Sequence, residues 1–106
     1  MKKLMIAVCM FFTSIASNVY ADGHGNIKMG IILGFTGPIE SLTPAMAASA
    51  ELAFNEASDS GSLLGGKKIK VERADSTCVD SAAATAAAEG LVSNGVVAIM
   101  GADCSG

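Results

Sequence analysis

Cys78 and Cys104, His24, and the hydroxyls of Thr36, Ser41, Thr43 and Ser105 are the groups in this 106-residue chain whose types and settings bear on chemistry. They do not make a catalytic set. Ser105 lacks a nucleophile-elbow context. Gly34-Phe35-Thr36-Gly37 is not a dinucleotide fingerprint, and no G-x-x-x-x-G-K-[ST] phosphate loop occurs. Two distant cysteines and one histidine supply too few ligands for a zinc site. Hydroxyls and backbone amides instead hold a small polar molecule without reacting with it. The expectation is a binding protein, not an enzyme, with no cofactor and no metal.

The amino terminus reads as an export signal. Met1-Lys2-Lys3 is positive, Leu4 to Phe12 is an unbroken apolar run, and Val19-Tyr20-Ala21 places small residues where a signal peptidase reads. A membrane span takes about 20 mostly apolar residues, and this stretch is broken by Thr13, Ser14, Ser17 and Asn18. Residues 1–21 are therefore expected to be a cleaved signal peptide, and the protein to be periplasmic. Cys9 follows Val8 within the apolar run, which does not suit a lipoprotein signal. Cleavage after Ala21 would expose Asp22-Gly23-His24, whose amine, two amide nitrogens and imidazole can close a square-planar ring suited to Cu(II) or Ni(II). The plainer alternative is an inert polar tail.

Without residues 1–21, five basic side chains face ten acidic ones, and net charge moves from −3 to −5. No basic patch remains for nucleic acid or an anionic membrane. Phe35 and Phe54 are the only aromatics left, so no aromatic stacking platform exists. In an oxidising compartment the remaining pair, Cys78 and Cys104, reads as a disulfide. Two buried free thiols are the alternative.

The elements that must position these groups alternate. Ile27 to Phe35 suits a strand buried on both faces, and Thr36-Gly37-Pro38 breaks it. A helix fits from Thr43 as N-cap with Pro44 at the first helical position, with Ala45, Ala48, Leu52 and Glu56 at helical spacing, ending at Asp59-Ser60-Gly61. Leu64 to Lys67 forms a turn into a second strand, Lys68 to Asp75. There Ile69 and Val71 alternate with Lys70 and Glu72, as at a sheet edge. Asp80 or Ser81 caps an alanine-rich helix that stops at Asn94-Gly95. Val96 to Met100 is expected to be a third, fully buried strand.

Strand–helix alternation predicts an α/β fold with parallel strands and right-handed crossovers. With the polar-faced strand at the edge, the order is 2-1-3. The loops 36–42 and 102–106 then flank a topological switch point, where such sheets bind ligands. Three strands with an open edge make an incomplete domain, so residues 22–106 are expected to be part of a larger one.

Several motifs carry a resemblance when taken together: Ile27-Lys28-Met29-Gly30, Thr36-Gly37-Pro38, Leu64-Gly65-Gly66-Lys67-Lys68-Ile69, Asp75 with Cys78, and Gly101-Ala102-Asp103-Cys104-Ser105. In this order and spacing they resemble the amino-terminal lobe of the Leu/Ile/Val-binding family of periplasmic solute receptors. The resemblance covers residues 27–106, and it implies a type I periplasmic-binding-protein fold with residues 22–106 as part of the first of two lobes. It also implies a hinge-closing, monomeric receptor that passes an amino acid to the membrane permease of an ABC importer. A ligand-sensing receptor on the same fold is the alternative. The resemblance further implies a disulfide between Cys78 and Cys104, and a Ser105 hydroxyl that binds the ligand's α-carboxylate. Ser105, Gly106 and Leu42 are the ligand-binding candidates. Many amino-acid-binding members carry Tyr-Gly where Leu42-Thr43 stand here. That departure opens the ligand to amides, urea and other small solutes.

Overall fold

The computed structural model describes residues 25–105. Three parallel strands, β1 (Ile27–Leu33), β2 (Ile69–Asp75) and β3 (Ala98–Met100), stand in the order β2-β1-β3. Helix α1 (Thr43–Asp59) joins β1 to β2, and α2 (Ser81–Ser93) joins β2 to β3. The chain is thus an α/β fold, with the charged strand at one edge as its alternation of Lys70 and Glu72 predicts.

β1 is central because it has little side chain to spare for water. Its carboxyl half, Gly30 to Leu33, is buried. Ile31 and Leu33 form a core with Ala47 of α1, flanked by Phe35, Phe54 and Val71. The opposite face takes α2. A Cβ on Gly30 would come within 2.9 Å of Leu91 Cδ1, so the absence of a side chain lets the alanine-rich helix lie close to the sheet. Leu91, 3% exposed, contributes about 2 kcal/mol through its burial there.

Several boundaries differ from the sequence reading. β1 ends at Leu33, because the Phe35 amide turns back to the Leu33 carbonyl at 2.9 Å. Thr43 is not the N-cap of α1. Leu42 holds that position without a side-chain cap, and Thr43 is the first helical residue. Its buried hydroxyl instead donates to the Gly34 carbonyl at 3.1 Å. Ala45, Ala48, Leu52 and Glu56 are all exposed. The buried side of α1 runs through Thr43, Ala47 and Ser58, where one-face spacing alone pointed to the wrong stripe.

The third strand is shorter and wetter than expected. β3 covers Ala98 to Met100 only, and Val97 is 66% exposed. Its pairing with β1 reaches just Met29, Gly30 and Ile31. The expected α2 signals hold: Asp80 caps the Ala82 and Ala83 amides at 2.9 and 3.1 Å, and Gly95 follows the Asn94 C-cap at φ 81°.

Polar side chains fix the elements to one another. Buried Ser58 accepts from the Ile69 amide at 2.9 Å, so the end of α1 is tied to the start of β2. Arg73 of β2 grips Glu51 of α1 with two nitrogens, at 2.6 and 2.7 Å, and lies 5.4 Å from the Phe35 ring centre. A paired fork of this kind orients better than a single-point contact, although an exposed pair adds only about 0.2–1 kcal/mol.

Candidate functional site

Both expected cleft loops leave the carboxyl ends of β1 and β3, which are neighbours in the sheet. The first loop is anchored by Asp75 at the end of β2. Its carboxylate accepts from the Thr36 hydroxyl at 2.6 Å, the Thr36 amide at 3.3 Å and the Thr77 amide at 2.8 Å. The hydrogen bond from the Thr36 hydroxyl, helped by these amides, lowers the Asp75 pKa below the usual carboxylate value. Gly37 completes the anchor. It stands at φ 97°, and a Cβ there would run into the Thr77 carbonyl.

The second loop is held from the other side. The Gly34 amide donates to both oxygens of Asp103, each at 3.1 Å. Gly101, at φ 124°, brings its backbone against Ile32, where a Cβ would collide with the Ile32 carbonyl. Each loop is therefore fastened to a neighbouring strand by a carboxylate and a glycine. Asp75 was legible only as part of a motif, and Asp103 was not singled out for any role of its own.

The four candidate hydroxyls now separate. Thr36 and Thr43 are committed to Asp75 and to the Gly34 carbonyl, and Thr43 is fully buried. Both hydroxyls hold the loop. Ser41 and Ser105 are exposed, and neither hydroxyl makes a hydrogen bond among the described residues. Leu42 is 60% exposed at the start of α1. Gly106 lies outside the described residues, as do the expected signal segment 1–21 and Asp22-Gly23-His24.

Cys78 and Cys104 come to disulfide distance, with Cα atoms 5.5 Å apart. Their meeting place is above Gly34: a Cβ on that residue would sit 3.3 Å from both Cβ and Sγ of Cys78. Thr77 and Cys78 reach it through the left-handed backbone region, at φ 59° and 69°. That conformation costs a non-glycine residue about 1–3 kcal/mol and persists where neighbours enforce it. Here the Thr77 amide bonds to Asp75, and the Cys78 amide bonds to the Ser76 carbonyl at 2.7 Å.

A hollow of about 250 Å³ opens beside the cysteine pair, on the side of the α2 amino terminus. Ser76, Ser81, Ala84 and Ala102 line it with both cysteines, and Leu42 and Ser105 do not. Asp80 already occupies the first amides of α2, which leaves that helix end poorly suited to an anion. The hydroxyls of Ser76 and Thr77 are buried without a partner among the described residues.

What the arrangement offers is a rim of exposed polar and apolar groups on a rigid base, at the point where the strand order reverses. Ligand contacts lie at such places in parallel α/β sheets. A family model described as periplasmic binding protein matches residues 26–106. Comparison with curated proteins gives no match. The matched segment spans every strand and helix of the sheet together with both loops over its carboxyl end, and the chain belongs to the periplasmic binding protein family.

Proposed function

We propose that this chain is the ligand-capturing component of an ABC importer, taking up an amino acid or a related small polar solute in the periplasm. Membership of a family of binding proteins makes a small-molecule ligand the coarse expectation. The observation that carries the finer reading is the exposed Ser105 hydroxyl, in the loop that follows β3 and beside the reversal of strand order. A hydroxyl and backbone amides there suit a carboxylate, because a hydrogen bond to an ionised group is stronger than one between neutral groups.

In this reading residues 1–21 are a cleaved signal peptide and residues 22–106 form part of the first lobe of a two-lobed receptor. Ser105 and Gly106 bind the carboxylate, Leu42 lines the side-chain end, and the Cys78–Cys104 disulfide secures the rim. The loaded, monomeric receptor hands its ligand to a membrane permease. Leu42 in place of an aromatic wall favours a small or flexible ligand over one that needs stacking.

Uptake by intact cells tests the role. Deleting the gene should abolish accumulation of one labelled amino acid or small amide from dilute medium, and restoring the gene should restore it. Unchanged uptake across a panel of such solutes would argue against a transport receptor.

A further inference from the structure

Along the sequence, two cysteines and one histidine are the soft metal ligands outside residues 1–21. The fold adds a carboxylate. One sulfur of Cys78, one of Cys104 and a carboxylate oxygen of Asp103 all lie within 4.8 Å of one another, and all three residues are half-buried. Cys104 Sγ is 3.6 Å from Asp103 Oδ1. Sulfur and oxygen bound to one tetrahedral zinc ion, at about 2.3 and 2.0 Å from it, stand roughly 3.5 Å apart. Asp103 is also oriented from behind, by the Gly34 amide, as outer hydrogen bonds commonly orient metal ligands.

While the sulfurs are joined to each other this set is closed, since the thiolate is the form that binds metals. We propose that Cys78, Asp103 and Cys104 form a redox-gated site for a thiophilic divalent cation such as zinc or cadmium, open when the disulfide is reduced and shut when it forms. A dithiol supplies the opening step. It gives two electrons and two protons to the Cys78–Cys104 bond and becomes a cyclic disulfide, leaving two protein thiols. The cation then displaces both thiol protons to solvent and takes the two thiolates and the Asp103 carboxylate as donors. The fourth tetrahedral position is left to water. Two thiolates select a soft cation over magnesium or calcium. Occupancy by metal and closure of the disulfide exclude each other, so bound cation would hold back oxidation of the pair.

The site is tested with cadmium alone as the probe, on the full-length mature protein. The protein is reduced with excess dithiol, which is then removed under argon before titration. Thiolate-to-cadmium charge-transfer absorption should rise to one equivalent per chain with the intensity of two thiolates, and cadmium NMR should report two sulfurs among oxygen donors. The oxidised protein and the Cys78→Ser/Cys104→Ser double variant should lack this signal. Asp103→Asn should keep the absorption while binding roughly tenfold or more weakly, and Asp103→Glu should recover part of the loss. An absent signal in reduced wild type, an equal signal in the oxidised protein, or unchanged affinity in Asp103→Asn would each overturn the proposal. The NMR reading on wild type stands even if an Asp103 variant fails to fold.

Discussion

The Gly34 amide donates to both carboxylate oxygens of Asp103, at 3.1 Å each, and thereby ties the end of β1 to the loop after β3. The carbonyl of the same residue accepts from the buried Thr43 hydroxyl of α1. One peptide segment without a side chain thus joins the central strand to the first helix and to the far loop. Any Cβ at Gly34 would press on Cys78 and Ile39, so the same bareness also makes room for the cysteine pair.

Thr43→Val removes the hydroxyl while keeping the branched shape, and leaves the Gly34 carbonyl without that donor. The full-length protein should lose about 1–3 kcal/mol of stability, the cost of a buried polar group left unsatisfied. Urea denaturation measures it. Wild-type stability in this variant would show that the contact does not matter.

Acid should loosen the first loop through Asp75. Its pKa is lowered in the folded state, chiefly by the Thr36 hydroxyl. The resulting stabilisation is full above the unfolded value of about 3.9 and disappears as pH falls below it, through the lowered folded value. The stability difference between wild type and Asp75→Asn should therefore shrink as pH drops through that window. Glu51, lowered by Arg73, and Glu72, lowered first by Asn94, act in the same direction, so only the difference between the two proteins isolates Asp75. A difference independent of pH across the acid range would remove Asp75 from this role.

The order of strands, the edge position of β2 and the caps of α2 were legible because each rests on local signals: alternating charge, an Asp at the N-cap, Asn-Gly at the stop. The buried stripe of α1 was not. Alanines occupy both its faces, so spacing does not distinguish Ala47, which packs on Ile31 and Leu33, from Ala45 and Ala48, which meet water. Thr43 looked like a cap because threonine is a good one, yet a tertiary acceptor, the Gly34 carbonyl, claimed its hydroxyl. The role of Asp103 is hidden in the sequence for a similar reason: its partner Gly34 and its neighbour Cys78 are distant along the chain, and only folding brings them to it. Ser105 and Leu42 are legible as candidates only through family resemblance, and what the fold adds is their exposure beside the strand reversal.

The Cys78–Cys104 bond should appear as linked peptides in mass spectra of the protein kept unreduced. Closing the loop across a separation of 26 residues should contribute about 3–4 kcal/mol by the chain-entropy estimate. Replacing both cysteines with serine should lower stability by that order. Two freely alkylated thiols in the unreduced protein would contradict the pairing.

Residues 22–106 expressed alone should fold poorly and bind no amino acid measurably. β3 pairs with β1 over three residues and has no strand on its other edge among the described residues, an arrangement prone to association. Dispersed, sharp amide NMR signals from this segment would show it to be self-sufficient.

The proposed capture of a ligand at the strand reversal gives Ser105 the central contact. Calorimetric titration of the full-length protein with the solute identified by the uptake assay, wild type beside Ser105→Ala, should show binding weakened by about 1–3 kcal/mol, the loss expected for a hydrogen bond to a charged group. Thermal unfolding without ligand should be unchanged, because the Ser105 hydroxyl is exposed and supports no other described residue. Wild-type affinity in Ser105→Ala would place the ligand elsewhere.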